Sequence, residues 1–461
     1  MEKSPLLHSL EQLLLRNNRD GDALERLLQL DLPVLLQWEW ESEVIQAGIE
    51  RLHAWEMRFA RQYPLVYQRL RQSTARRSQA TALLQQIRVD VHGTPSDNMW
   101  RALLVLLRES ERHDWGVWKA DAQMVASNVQ DEFGVDAIHF VSRDGSIRVA
   151  RFQRNQLLSH SISLESPSVM QAWTVPFQEA VVLQLQNNQV VWIPTAKNGL
   201  IRSSLESPLC SQVNEDPLLL MASTEDRAAA ILVRQRDVLL FDHATQEEPP
   251  GKHWRQLLTH ELYEPRRIPV TAMCFVLDSL LLYASADGVL RAHPRTNPES
   301  TYHVKWLDSH VSHLVGLYNV VAIVYHYNQL EVRHVERQPE DPFVRLDTVL
   351  FSAKGVDPDE RPLLYGPYCL FKRQVGGEWM RVRYDGSTTR ALPLPVKLPF
   401  KAGWPIVRIR SANWRYWIVT LQDPATKKLG DYIFFATGGR SSNMATPFLV
   451  ASCLECGKRL S

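Results

Sequence analysis

A chain of 461 residues, 45% of them hydrophobic and 22% charged, can bury a large core and needs no disulfide or metal to hold it. Its length leaves room for more than one structural unit. A net charge of +1 excludes bulk attraction to nucleic acid or anionic membranes, so any such binding must come from a local patch.

Residues 1–118 read as helical. Ser4-Pro5 places a capping residue before a proline at the first helical position, and Leu6, Leu10, Leu13 and Leu14 follow at helical spacing. Asp22 and Glu25 have the spacing of a capping box for a second helix carrying Leu24, Leu27 and Leu28. Pro33 interrupts that run, and a third segment starts near it. A long helical stretch is expected over 41–72, with Phe59, Tyr63, Tyr67 and Leu70 on one face and a kink or break at Pro64. Another helix is expected over Asn98–Ser110, burying Trp100, Leu103, Leu104 and Leu107.

From about residue 119 to 461 the period falls from 3.6 to 2, the pattern of strands. Seven times an apolar run meets a short turn and a second apolar run. The turns are Asp144-Gly145, Asn187-Asn188, Arg236-Asp237, Asp287-Gly288, Tyr327-Asn328, Gly376-Gly377 and Gly430-Asp431. Measured on Asp144, Asn188, Asp237, Asp287, Asn328, Gly377 and Gly430, the spacings are 44, 49, 50, 41, 49 and 53 residues. That length suits a four-stranded propeller blade. The predicted fold is therefore α+β and multidomain: a helical region over 1–118 and an all-β propeller of about seven blades over 119–461. A pair of β-sandwiches is the alternative. Strands are expected at Ala180–Gln186 with Val190–Ile193 and at Leu280–Ala284 with Val289–His293, each pair antiparallel. Trp192, Phe241, Leu282 and Val332 are the expected blade core, and the run 448–452 is the candidate last strand.

One unit carries a family likeness. VTAMCFVLDSLLLYASADGVLRAHP (270–294) resembles a WD-repeat blade, with Ala292-His293 where that family has Trp-Asp. The resemblance implies a rigid interaction platform and no particular activity. A second stretch, ALERLLQLDLPVLLQWEW (23–40), is similar to the start of an F-box. Leu27, Leu28, Leu30, Asp31, Leu32, Pro33, Leu35 and Leu36 carry that likeness, which implies capture of a Skp-type adaptor. Trp38-Glu39-Trp40 and Glu41-Ser42-Glu43 depart from the family's continuation, and a plain helical hairpin also explains the leucines.

The most distinctive local composition lies between Met57 and Val89. It holds Arg58, Arg61, Arg69, Arg71, Arg76, Arg77 and Arg88, with no acidic residue and no lysine. Guanidinium forks bind carboxylates and phosphates, and the interleaved aromatics could stack bases. An acidic protein partner, nucleic acid, or a helix with its aromatics buried and its arginines paired elsewhere all fit the pattern. Trp38, Trp40 and Trp55 are either core or interface anchors.

Catalytic signatures are lacking. No Gly-x-Ser-x-Gly elbow, Walker loop, dinucleotide fingerprint or HExxH occurs. His310 and His313 read as rim residues rather than ligands. Cys453 and Cys456 have half the spacing of a zinc knuckle without a second pair nearby. Five scattered cysteines (with Cys210, Cys274 and Cys369) fit a reducing compartment. The N-terminus lacks a leader pattern, and the apolar run Leu314–Tyr325 is too short to span a bilayer as a helix. The sequence thus points to a soluble, intracellular, non-enzymatic scaffold with protein partners and no cofactor or metal. An F-box-like substrate receptor and a nucleic-acid-associated factor are the alternatives.

Overall fold

The computed structural model describes residues 4–16, 19–86 and 96–109, the strands between 115 and 259, and most of 269–436. Side chains are described for most of 4–84 and 99–107 and for most of 269–434. The run 448–452, Arg88, Cys453, Cys456 and the side chains of Trp192 and Phe241 lie outside the described residues. The chain divides into two compact units, the second spanning Trp115–Thr437.

Eight helices are described in the first unit: α1 (Pro5–Leu14), α2 (Asp20–Gln29), α3 (Leu32–Glu41), α4 (Glu43–Arg51), α5 (Ala54–Gln62), α6 (Pro64–Gln72), α7 (Thr74–Gln86) and α8 (Ser96–Glu109). Pro5 occupies the first turn of α1 as expected, although the Ser4 side chain makes no capping bond. The Asp22–Glu25 capping box does not form. Helix α2 begins two residues earlier, so Asp20 and Asp22 sit inside its first turn, where acidic side chains suit the helix dipole. Side-chain caps form elsewhere: Ser73 Oγ accepts from Arg76 N at 3.3 Å, and the Ser42 hydroxyl accepts from Ile45 N at 3.3 Å and donates to Glu11 Oε1 at 2.5 Å, tying α4 to α1. The expected long helix over 41–72 is three helices. His53 takes a left-handed conformation (φ 48°) between α4 and α5, and Pro64 starts α6. Phe59, Tyr63, Leu70, Trp100, Leu103, Leu104 and Leu107 are buried. The rings of Phe59 and Tyr67 lie 5.0 and 5.2 Å from that of Trp100.

The second unit is a succession of antiparallel four-stranded sheets. After β1 (Trp115–Lys119), the strands β2 (Met124–Ser127), β3 (Ala137–Ser142), β4 (Ile147–Gln153) and β5 (Gln156–Ile162) pair in chain order. So do β6 (Val169–Val175), β7 (Ala180–Leu185), β8 (Val190–Pro194) and β9 (Pro208–Cys210). The third sheet comprises β10 (Leu220–Ser223), β11 (Ala228–Val233), β12 (Asp237–Asp242) and β13 (Trp254–Thr259). The fourth comprises β14 (Val270–Val276), β15 (Leu280–Ser285), β16 (Val289–Pro294) and β17 (Tyr302–Trp306). In the fifth, β18 (Val311–Leu317), β19 (Val320–Tyr325) and β20 (Gln329–His334) continue, after the small pair β21 (Glu336–Arg337) and β22 (Val344–Arg345), into β23 (Val349–Lys354). Next come β24 (Leu363–Tyr365), β25 (Tyr368–Lys372), β26 (Trp379–Arg383) and β27 (Leu392–Pro393). Finally β28 (Ile406–Ala412), β29 (Tyr416–Gln422) and β30 (Leu429–Ala436) take β1 as their fourth strand, Trp115 opposite Ala436 and Lys119 opposite Tyr432.

Three of the seven expected turns, Asp287-Gly288, Tyr327-Asn328 and Gly376-Gly377, join the second and third strands of a sheet; Asp144-Gly145, Asn187-Asn188 and Arg236 lie outside the described residues, and Asp237 begins β12. Gly430-Asp431 is not a turn: it lies inside β30, and the turn is Asp423–Lys428. There Asp423 Oδ1 accepts from Ala425 N at 2.9 Å, and Lys427 supplies the left-handed residue (φ 57°).

First strands adjoin at six of the seven junctions between successive sheets: β2 and β6, β10 and β14, β14 and β18, β18 and β24, β24 and β28, and β28 and β2. Ala272, Cys274, Val276, Leu280, Leu282, Ala284, Leu290 and Ala292 alternate along the fourth sheet and meet Val311, Leu314, Val321 and Ile323 of the fifth. Burying a leucine such as Leu282 is worth about 1.5–3 kcal/mol. Contact is closest at Gly316, where an added Cβ would lie 2.0 Å from the Phe275 carbonyl oxygen. Nearby, Leu277 N donates to Tyr318 O at 2.8 Å, sheet to sheet.

Candidate functional site

Six of the seven arginines singled out in the helical region are described, and they have different fates. Arg58, Arg69 and Arg76 are buried at 6%, 0% and 3% exposure and are engaged within the chain, so no partner reaches them in this fold. One contact of Arg58 is Nη1 to Leu27 O at 3.5 Å. Arg61 and Arg71 are exposed, and Arg77 is half-buried. Arg61 grips Glu25 through two hydrogen bonds of 2.7 and 3.1 Å. That pairing holds the Glu25 carboxyl below its ordinary range, hydrogen bonding first and charge second. Arg71 lies 3.7 Å from Glu56, which also accepts from Tyr67 Oη at 2.8 Å. Arg77 Nε donates to Leu70 O at 3.2 Å. The run that lacks acids in sequence is therefore supplied with them in space, from α2 and from the residue just before the run.

The tryptophans divide likewise. Trp38 and Trp55 are buried, whereas Trp40 is 56% exposed. Trp55 Nε1 donates to Glu39 Oε1 at 2.9 Å, and Arg101 Nε stands 2.9 Å from Glu39 Oε2 without hydrogen-bond alignment. Burial raises the Glu39 pKa, with Arg101 and Trp55 opposing it. Of the F-box-like leucines, Leu27, Leu32, Leu35 and Leu36 are buried.

In the strand unit, three of the four exposed large apolar side chains among the described residues lie on or beside turns between second and third strands; the fourth, Val349, begins β23. Tyr327, Val375 and Leu429, on or beside the turns of the last three sheets, are 47%, 85% and 53% exposed. The turns carrying Tyr327 and Val375 are cross-braced. Asn328 Nδ2 donates to Gln374 Oε1 at 2.8 Å, Val356 N to Asn328 O at 2.9 Å, and Gln374 N to Gly355 O at 2.9 Å. The Tyr325 and Tyr327 rings stack at 5.2 Å. Left-handed Asn328, Gly376 and Gly377 explain why these turns were visible in sequence. Tyr327, Val375 and Leu429 gave no such signal, because exposure follows from the turn's position in the sheet rather than from residue type.

The Asp287-Gly288 turn is pinned by charge. Asp287 Oδ2 lies 2.7 Å from Arg291 Nη2, and Oδ1 accepts from Val289 N at 3.1 Å. Burial opposes the carboxylate, but these hydrogen bonds outweigh it and the Asp287 pKa falls. His293, standing in the WD-like dipeptide position, is fully buried, and burial lowers its pKa to about 4. Of the two rim histidines, His310 is exposed, whereas His313 lies in β18 with its Nε2 buried.

Among the described residues, no group of three or more His, Cys, Asp or Glu side chains is placed to hold a metal ion. No described helix is long and apolar enough to cross a membrane.

No protein-family model matches this sequence, and neither does any curated protein. Among solved structures, the crystal structure of the β-propeller domain of Cps50 (Swd1) from Myceliophteria thermophila is similar, with TM-score 0.45 and 12% identity over 69% of this chain and 99% of that one. The computationally designed protein Ika8 is similar with TM-score 0.43 and 12% identity, covering 69% of this chain and 97% of that one.

Proposed function

We propose that Trp115–Thr437 is a closed seven-bladed propeller that serves as a non-enzymatic protein-interaction platform, with the helical unit as a second contact surface. Closure is supported by β1 completing the last sheet and by the adjoining first strands. The observation that carries the interaction reading is the set of turns exposing Tyr327, Val375 and Leu429, the first two of them cross-braced. Rigid turns that expose large apolar groups bind with little ordering cost. On the helical unit, Trp40, Arg61, Arg71 and Arg77 supply the surface contact.

Affinity purification of the full chain from native cells, followed by mass spectrometry, tests the reading. A defined protein complex that is lost when Tyr327, Val375 and Leu429 are all changed to serine supports it. A Skp-type adaptor in the complex would establish the ligase-receptor alternative instead. Retention of nucleic acid that falls steeply with salt, through counterion release, would establish the nucleic-acid alternative. Turnover of a small substrate would overturn the platform.

A further inference from the structure

Two histidines from neighbouring strands meet at the rim of the fifth sheet. His310 immediately precedes β18 and His326 immediately follows β19, one step beyond the end pair Val311 and Tyr325. His326 N donates to His310 O at 3.0 Å, which sets the two residues opposite each other. Opposed residues of an antiparallel pair send their side chains to one face. The imidazole rings accordingly stand with centres 6.4 Å apart and planes at 77°. Both residues are exposed, and among the described residues no hydrogen bond or ion pair engages either ring. His313, three residues along the same strand, takes no part, since its Nε2 is buried.

The backbone beneath the two rings is fixed. The β18–β19 ladder holds one side. The turn after His326 is held by Asn328, which is left-handed (φ 66°) and bonded to Gln374 of the next sheet. Only side-chain rotation separates the rings from a chelating arrangement. Metal–nitrogen bonds of about 2.0–2.1 Å put each ring centre about 3.2 Å from a shared ion, so two liganding rings stand at most about 6.4 Å apart, and about 4.5–5 Å apart at right or tetrahedral angles. The observed separation is at the outer limit. Closing it by about 1–2 Å takes a rotation about χ1 or χ2, which an exposed side chain makes freely.

We propose that His310 and His326 chelate one divalent transition-metal ion, copper(II) most tightly. Two imidazoles without a thiolate suit copper, nickel and zinc, and copper heads the order of affinities for such ligands. Magnesium and calcium take oxygen ligands and do not compete. Two protein ligands fall short of the four that close a structural site, so water holds the remaining positions. Tyr327, one of the exposed side chains of the proposed platform, is the residue after His326. On the platform reading, a carboxylate or imidazole of a docked partner would replace that water; the metal site itself does not rest on that reading.

The test uses the full chain without a histidine tag, titrated with copper(II) chloride at neutral pH and followed by electron paramagnetic resonance. Support is one tight equivalent per chain whose spectrum shows two coordinated nitrogens, with nickel(II) and zinc(II) weaker in competition. H310N and H326N should each weaken that equivalent about tenfold or more and leave one nitrogen, because a single imidazole lacks the effective concentration of the second. H8N, at an exposed histidine of the helical unit, should leave it unchanged. Both rings are exposed, so the variants should melt with the wild type; if one does not, H310Q or H326Q replaces it, and the wild-type nitrogen count needs no variant. A one-nitrogen spectrum, a tight equivalent kept in H310N or H326N, or copper spread evenly over the chain's other histidines would overturn the site. So would zinc bound as tightly as copper. None of these outcomes bears on the platform reading, which is tested at Tyr327, Val375 and Leu429.

Discussion

Adding a single methyl at Gly316 should loosen the strand unit more than removing a larger group elsewhere. The new Cβ would sit 2.0 Å from Phe275 O, 3.0 Å from its carbonyl carbon and 3.2 Å from Val276 Cγ1. Ordinary contact to oxygen needs about 1 Å more, and the obstacle is backbone. Phe275 cannot turn its carbonyl aside, because it is held in register opposite Leu281. The first strands of the fourth and fifth sheets must therefore move apart, straining the Leu277–Tyr318 hydrogen bond beside them. Overpacking typically costs 1–3 kcal/mol, and a backbone clash places Gly316→Ala at the upper end, about 3 kcal/mol. For a unit spanning Trp115–Thr437, whose unfolding entropy at about 2.1 cal/mol/K per residue is large, that is a drop of roughly 4–5 °C in melting temperature. Gly376→Ala is the control. Gly376 has φ +84° but nothing within 4 Å of an added Cβ, so it bears only the left-handed backbone cost of about 1–2 kcal/mol. Both variants should be melted at one scan rate with intrinsic tryptophan fluorescence as the probe. If Gly316→Ala melts within 2 °C of the wild type, or above Gly376→Ala, the close approach of β14 and β18 is not as described.

Leu282→Ala, at a fully buried position between those sheets, should cost about 2–5 kcal/mol by denaturant titration; an unchanged midpoint would remove Leu282 from the core. Asp287→Ala should cost about 1–3 kcal/mol, since it leaves the Arg291 guanidinium only its bond to Ser285 Oγ and loosens the turn. Asp287→Asn should recover part of the loss by keeping the bond to Val289 N, and equal losses would show that charge alone matters. Stability should also depend on pH through His293 and His313, both held neutral by burial with pKa values of about 4. The unfolded chain, with imidazoles near 6.5, binds more protons between about pH 6.5 and 4. Their contribution is thus complete above about pH 6.5 and is lost as pH falls through that window. Replacing both with asparagine should flatten this part of the melting profile, and a slope unchanged from wild type would count against the burial.

Turn chemistry made much of the strand unit readable in advance. Gly288, Asn328, Gly376 and Gly377 are left-handed residues, and the side chains that tolerate that conformation are few enough to mark a hairpin by themselves. The last hairpin broke the rule. Its left-handed residue is Lys427, and an Asp423 side chain does the work of glycine, so the visible Gly430 misled. In the helical unit, periodicity located the Phe59–Leu70 stripe but said nothing of which arginines face inward. Burial of Arg69 and Arg76 depends on neighbours distant in sequence, as does the pairing of Arg61 with Glu25.

The pairing of β1 with β30 sets a timetable for synthesis. Trp115 leaves the ribosome early, but its partner Ala436 is among the last described residues made. Until then β1 is an unpaired edge carrying Trp115, Val117 and Trp118, and each intermediate sheet lacks its final neighbour. Edges of this kind recruit other chains. A nonsense mutation just before β29 would consequently do more than shorten the protein. It would leave the first strand permanently unpaired, a shape suited to chaperones and proteases rather than to a partner.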